Sequence, residues 1–275
     1  MELTRNITLG VYLPGNTCIH RLDPRTKILG AAALVVLLLL IRTYAAYGVF
    51  AIFTAALIAL AAVPLRYALS GLKPMLPMLV IMWVFQLFLF RADDTVVLFR
   101  WWIFEATEAG LHMGNLITLR VLFLFIATTL LTLTTSIVKL TDGLESLLSP
   151  LRTIGFPAQE LVMTLIIALR FVLILAEELE KIIKAQTARG VAFDQGNFIQ
   201  KTGKLFPVFL PLFINAFKRA EELIIAMEAR SYTGGRGRTK MKTLRMSRVD
   251  LAAAGVLSVF AAVMIYIILN TEPLF

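Results

Sequence analysis

The chain has 275 residues, of which 59% are hydrophobic and only 16% charged, and its mean hydropathy is +0.81. Soluble domains carry roughly 25% charged residues, so this chain lacks the polar side chains to cover a globule. It is neither a disordered chain nor a soluble enzyme, and its natural solvent is a bilayer. The 27 Lys and Arg against 18 Asp and Glu leave a formal charge of +9, which has to be placed. The single cysteine, Cys18, excludes an internal disulfide, and two histidines leave little for a metal site.

A membrane helix needs about 20 mostly apolar residues to cross the hydrocarbon core. Residues 1–27 are polar, hold two prolines and do not read as a signal peptide. From Ile28 to Val63 the chain is apolar except for Arg42, too long for one span and suited to two short ones. Their break falls near Arg42-Thr43-Tyr44, with Tyr47-Gly48 as the alternative. Met75–Phe90 is a third run with Gln86 inside it, and Leu116–Val138 is a fourth with Arg120 one turn from its start. Leu251–Leu269 is a fifth, free of charge. The fold class that follows is an all-α polytopic membrane protein with about five transmembrane helices.

Charge sets the orientation. Arg5, Arg21, Arg25 and Lys27 precede the first span, and Arg66 and Lys73 follow the second. Lys139–Arg248 holds 17 Lys and Arg against 10 acidic residues. By contrast, Arg91–Met113 carries Asp93, Asp94, Glu105 and Glu108 against two arginines. The positive-inside bias places the basic segments in the cytoplasm. The Trp101-Trp102 pair then suits the far interface, and Asn270–Phe275 falls outside.

Four regions result: a cytoplasmic leader over 1–27, about four spans over 28–138, a cytoplasmic domain over 139–248 and a last helix over 249–275. The cytoplasmic domain is too apolar and too regular for a linker. Thr141-Asp142-Gly143-Leu144-Glu145 reads as a helix start with Asp142 near the N-cap and Glu145 three residues on. That helix stops around Ser149-Pro150. Phe156-Pro157 opens a long helix that runs to about Arg189, with Pro157 at a first helical position and Gly190 as the stop. Its residues Leu165, Ala168, Val172, Leu175, Leu179 and Ile182 form a helical seam. Glu177–Lys181 and Glu180–Lys184 are favourable i,i+4 pairs. Its first half, Leu161–Ala176, reads as buried beneath or partly within the membrane, a sixth span being the alternative. Phe206-Pro207 opens another helix with the same seam spacing at Leu210, Phe213, Phe217, Ala220, Ile224 and Met227, and Gly234-Gly235-Arg236-Gly237 marks its end.

The two helices share a design. Each begins at Phe-Pro, each contains Ala-Glu-Glu-Leu (Ala176–Leu179 and Ala220–Leu223), and each ends on Ala-Arg and a small residue: Ala188-Arg189-Gly190 and Ala229-Arg230-Ser231. An arginine at a helix C-terminus meets the negative end of the dipole. Its guanidinium can fork onto carboxylates or carbonyls of another surface. The bland alternative is two ordinary C-terminal arginines on a solvated face.

Ile19-His20-Arg21-Leu22-Asp23-Pro24-Arg25-Thr26-Lys27, just before the first span, resembles the N-terminal signature of the transmembrane T component of energy-coupling factor transporters. The paired Ala-Arg-small tripeptides resemble that family's two coupling motifs, although the second reads Ser231 where the motif has glycine. The resemblance covers essentially the whole chain. It implies a scaffold in the cell membrane of a bacterium or archaeon. That scaffold links two ABC-type ATPase subunits to a small substrate-binding integral membrane protein, the S component, in an importer of vitamins or other micronutrients. It further implies that Arg189 and Arg230 each enter a groove on one ATPase. ATP and magnesium would be bound by those partners, with no cofactor on this chain. The length and full leader lean toward the shared type, which serves several S components.

Other signals fail. Gly234–Lys240 does not satisfy G-x-x-x-x-G-K-[ST] and reads as a basic turn near anionic headgroups, so the chain does not read as an ATPase. His20 and His112 fall on opposite sides of the membrane. The basic charge flanks the spans, which indicates lipid rather than nucleic acid. Arg42 and Arg120 lie toward span ends where they can snorkel, so no ion path is evident. That weakens the rival reading of an autonomous secondary carrier or membrane-embedded enzyme. The alanines of the first two spans allow close helix approach, within this chain or to a partner. Asp23 reads as a local cap or pair, and a further role in holding the leader to the cytoplasmic domain is an expectation.

Overall fold

A computed structural model describes residues 13–64, 67, 71–89, 97–101, 104–150, 157–191, 193, 198–232, 234 and 246–271. The elements in chain order are α1 (Cys18–Arg21), α2 (Pro24–Leu40), α3 (Tyr44–Ala61), α4 (Leu72–Leu89), a hairpin of β1 (Val97–Trp101) and β2 (Phe104–Thr107), α5 (Glu108–Thr134), α6 (Ile137–Leu148), α7 (Ala158–Ala188), α8 (Phe198–Glu228) and α9 (Arg248–Asn270). The fold is all-α and polytopic, with one short antiparallel ribbon in the link before α5. Trp102 of the tryptophan pair lies outside the described residues. The chain divides into two compact units. Residues 10–144 and 244–275 form the membrane unit, and residues 145–243 belong to the other.

In the membrane unit, α3, α5 and α9 are long and apolar enough to cross a membrane. The two remaining expected spans are also helices, α2 with 17 residues and the apolar stretch Leu76–Phe88 of α4. The chain breaks between α2 and α3 at Ile41–Thr43, where the first of the two expected positions lies. Large apolar side chains cover the outside: Ile52, Leu251 and Leu269 are each more than 70% exposed. Lipid is as apolar as these residues, so packing inside the unit relies on close van der Waals fit. That fit is aromatic. Phe50, fully buried, meets Phe123 edge-on with centroids 5.4 Å apart and Phe260 at 6.0 Å, and Phe53 stacks on Phe260 at 3.8 Å. One residue set thereby joins α3, α5 and α9.

The central helix α5 runs 27 residues, roughly 40 Å at 1.5 Å per residue, against roughly 26 Å for α2. The Lys27 ammonium donates to the Thr134 carbonyl (2.9 Å) and the Arg120 guanidinium to the Ile41 carbonyl (2.8 Å). These two contacts fix an antiparallel register, and α5 projects beyond the end of α2. Arg120 therefore is not one turn inside a span, nor does it snorkel at an end. It stands 12 residues from the start of its helix, where it closes the free carbonyl end of α2. The hydropathy run begins at Leu116 only because Glu108, His112 and Asn115 dilute the first turns of the same helix.

Three helix starts differ from the sequence reading. The helix expected at Thr141 begins at Ile137, so Asp142 lies mid-helix and is no N-cap. Gly143 serves packing: a Cβ there would stand 2.8 Å from the Pro24 Cβ, so only glycine lets α6 touch the start of α2. Pro157 is the N-cap of α7 rather than its first helical residue. Helix α8 begins at Phe198 and runs through Pro207 and Pro211, and Phe206-Pro207 does not open it. Its end comes at Glu228, before Gly234.

In the second unit α7 and α8 form an antiparallel pair. The Glu178 carboxylate accepts from the Asn215 amide (3.1 Å) and lies 3.7 Å from the Arg219 guanidinium. Near the other end of the overlap, the Gln186 amide donates to the Pro207 carbonyl (3.4 Å). Of the two expected surface pairs, Glu180–Lys184 forms at 2.8 Å, while Lys181 lies nearer Glu178, at 4.0 Å. The first half of α7 is largely exposed in this chain: Leu161, Leu165, Val172 and Leu173 all face outward, and Val162 is the buried exception.

Candidate functional site

The two arginine motifs fold into the same turn. At the end of α7 the Gly190 N–H donates to the Thr187 carbonyl (3.0 Å) and the Val191 N–H to the Gln186 carbonyl (3.1 Å). That 5→2 and 6→1 pair is the Schellman arrangement, with Arg189 as the C-cap and Gly190 in the left-handed region at φ +90°. At the end of α8 the Ser231 N–H donates to the Glu228 carbonyl (2.8 Å) and the Tyr232 N–H to the Met227 carbonyl (3.0 Å). The pattern is identical, and Ser231 takes the left-handed place at φ 55°. The missing glycine has not changed the turn. A residue with a Cβ there costs roughly 1 kcal/mol relative to glycine.

Ala188 is the last residue of α7, and Ala229 opens the turn after α8. Ala188, Arg189, Gly190, Ala229, Arg230 and Ser231 are all exposed. Among the described residues neither the Arg189 nor the Arg230 guanidinium has a hydrogen-bond or ion-pair partner. The turn ends each helix without using the arginine side chain, so both cations project free. Because α7 and α8 are antiparallel, the two tips lie at opposite ends of the pair. Arg189 is three residues past Gln186, which meets Pro207. Arg230 is 23 residues past Pro207, roughly 35 Å along a helix axis.

The leader signature forms a second constellation, within the membrane unit. Asp23 is the N-cap of α2, its carboxylate accepting from the Arg25 N–H (2.9 Å), and Pro24 takes the first turn. The Asp23 backbone N–H donates to the Asp250 carboxylate (2.7 Å). Asp250 also accepts from the Ser247 N–H (2.7 Å), closing a capping box at the start of α9. Lys27 donates to the carbonyls of His20 (3.3 Å) and Thr134 (2.9 Å), and so caps the C-terminus of α5. Arg21 ends α1 and is exposed, and Leu22 is its half-buried C-cap. Asp23 thus ties the leader to α9, a partner that the sequence reading did not name. Asp250 could have been found from Ser-x-x-Asp before the last apolar run, the residue pattern of an N-terminal cap.

His20 is buried in the same place. Its Nε2 lies 3.1 Å from the Leu13 carbonyl, an acceptor only, so Nε2 carries the hydrogen; Nδ1 accepts from the Thr17 hydroxyl (2.7 Å). Burial holds the imidazole below its ordinary range; the Leu13 bond pulls the other way, and Lys27 and Lys139 add repulsion. His20 and His112 belong to opposite ends of α5: Lys27 joins the His20 carbonyl to Thr134, whereas His112 is in the second turn. Among the described residues no group of three His, Cys, Asp or Glu side chains is placed to hold a metal ion.

The family model for CbiQ, cobalt transport protein, matches residues 15–241, which includes the leader signature and both arginine turns. The energy-coupling factor transporter transmembrane protein EcfT of Thermosediminibacter oceani is 47% identical over 249 residues, covering 90% of this chain and 93% of the relative. EcfT of Ruminiclostridium cellulolyticum is 41% identical over 94% of this chain and 96% of the relative. EcfT of Bacillus subtilis is 39% identical over 95% and 98%. The chain belongs to the EcfT family. It is a membrane protein of transport, and the likeness to other EcfT proteins runs nearly end to end.

Three outcomes test this local reading of an EcfT chain. Asp250→Ala leaves the Asp23 and Ser247 N–H groups unpaired and lowers stability by about 3 kcal/mol, read as a drop in thermal midpoint in detergent. Ser231→Gly relieves the left-handed strain and stabilises α8 by about 1 kcal/mol, whereas Gly190→Ala destabilises α7 by a similar amount; amide exchange at the two helix ends shows shifts of opposite sign. Because the folded state binds fewer protons at His20, stability is full above pH 6.5, the ordinary histidine value, and falls as pH drops below it. His20→Gln flattens that fall in thermal scans taken across pH.

Proposed function

We propose that this chain is the energy-coupling scaffold of an ATP-driven importer of vitamins or other micronutrients, an energy-coupling factor transporter in the cell membrane. Arg189 and Arg230 each enter a groove on one of two ABC-type ATPase subunits, which bind ATP and magnesium. The chain itself is non-catalytic and binds no cofactor. Closing of the ATPases moves the arginine-tipped helices, and that motion reorients a small substrate-binding membrane protein. The N-terminus lies in the cytoplasm and the C-terminus outside.

The observation that carries this reading is the pair of matched turns, each ending a long helix and each presenting an unpartnered, exposed arginine. A guanidinium without an internal partner, carried on a fixed backbone turn, is available to fork onto a carboxylate or carbonyl acceptor. The roughly 35 Å that separates the tips along α8 gives each of two partners its own contact point. For the substrate-binding protein, the supporting feature is the exposed face of α8. Phe206, Phe209, Phe213 and Phe217 are each at least half exposed. They follow one another at steps of three and four, with ring centroids 6.0 Å apart for Phe209–Phe213 and 4.7 Å for Phe213–Phe217. Such a stripe suits a helix-in-groove contact with another apolar helix.

Arg189→Glu and Arg230→Glu test the assignment. Each single change weakens ATPase association about 30-fold or more, the factor for a buried arginine hot spot, and the double change abolishes copurification of ATPases and coupled uptake. Membrane insertion and thermal midpoint stay at wild-type values. A double variant with normal complexes and uptake overturns the assignment, as does solute transport by the purified chain alone in liposomes.

A further inference from the structure

The membrane unit contains a cavity of about 400 Å³ at the end of the bundle where α2 begins. Its walls are apolar: Leu34, Phe53, Leu57, Leu130, Val256 and Leu257 contribute from α2, α3, α5 and α9. None of the residues lining it carries a carboxylate. Its volume falls in the range of small-molecule sites, roughly 300–1,000 Å³.

The polar end of this cavity is unfinished. Thr26 and Lys27 both line it. The Thr26 hydroxyl is buried and has no partner. Lys27, nine-tenths buried, has three N–H donors and spends two of them on the carbonyls of His20 and Thr134. Beside them, the Arg25 Nε is also buried without a partner. Three consecutive residues in the first turn of α2 therefore each hold an unused donor. Unsatisfied buried donors are costly, so the place calls for an acceptor that this chain does not supply. The surrounding charge has the sign to attract one. Arg21, Arg25, Lys27 and Arg248 stand in or next to the lining segments, against Asp23 and Asp250, whose carboxylates are already engaged by backbone N–H groups.

We propose that this cavity is the seat of one anionic phospholipid, whose acyl chain fills the apolar pocket between α2, α3, α5 and α9 and whose phosphate or ester oxygens take the free donors of Thr26 and Lys27, with the positive charge of the adjacent Arg25 favouring the anion. A bilayer supplies such a molecule at the required depth: basic pockets at the ends of membrane helices bind acidic headgroups, and acyl chains fill apolar grooves. The lipid completes the helix-end cluster of the leader.

The chain's only cysteine gives a direct readout, because Cys18 is exposed and lines the same cavity. The full-length protein, delipidated in detergent, is titrated with phosphatidylglycerol or phosphatidylcholine in mixed micelles while maleimide addition to Cys18 is followed by intact mass. Phosphatidylglycerol slows the reaction and saturates at one lipid per chain in native mass spectrometry, and phosphatidylcholine at the same mole fraction does neither. Arg25→Gln lowers the affinity for phosphatidylglycerol about fivefold, and Ala31→Phe, which fills the cavity, abolishes the retained lipid. Equal effects of the two lipids, or no effect of either, overturn the proposal from the wild-type protein alone, whether or not a variant folds. So does an Ala31→Phe protein that keeps its lipid but loses a copurifying membrane protein, which would make the cavity a seat for a protein helix.

Discussion

The membrane unit depends on how three helix ends are closed at one end of the bundle. Every helix leaves unpaired N–H groups at its start and unpaired carbonyls at its finish, and in a membrane these groups have little water to turn to. Asp23 closes the start of α2, Asp250 the start of α9, and Lys27 the finish of α5. The Asp23 N–H to Asp250 bond joins two of these closures across 227 residues of sequence. At the other end of α2 the same need is met by Arg120. Four charged side chains of this otherwise apolar unit, those of Asp23, Lys27, Arg120 and Asp250, are thus spent on helix termini.

The second unit follows a different rule. Its helix ends are closed by the backbone alone, through two Schellman turns, which leaves the adjacent cations unused. Buried charge therefore closes helix ends in one unit, while the arginines at the two turns of the other stay exposed. Closure by the backbone also explains the tolerance of serine at 231: the turn is held by two backbone hydrogen bonds that do not depend on the side chain, and the left-handed strain is small beside them.

The features legible in the sequence were those with a local cause. Gly190 marks a left-handed C-terminal turn because glycine alone adopts it without strain, and the apolar runs mark the membrane helices because lipid selects composition. Features with a tertiary cause were misread. Gly143 stood in a segment that resembled a helix start, yet it lies mid-helix and lets α6 approach Pro24. Pro207 resembled a helix start, yet α8 runs through it. Arg120 resembled a residue at a span end because hydropathy records where lipid contact begins, while the helix itself begins eight residues earlier at Glu108. Glu178 was one of two adjacent glutamates with nothing to distinguish it, and only the packing of α7 on α8 singles it out. The leader signature was recognised as a motif, but its physical role needed Asp250 and Thr134, both far away in sequence.

The antiparallel register of α7 and α8 has a mechanical consequence. Two loads applied at the far ends of such a rod, in opposite directions, form a couple: they turn it about its middle and leave its centre where it was. The Glu178–Asn215–Arg219 cluster lies in the overlap of the two helices and links them across the pair. A pair of parallel helices with both tips at one end would answer the same loads by shearing.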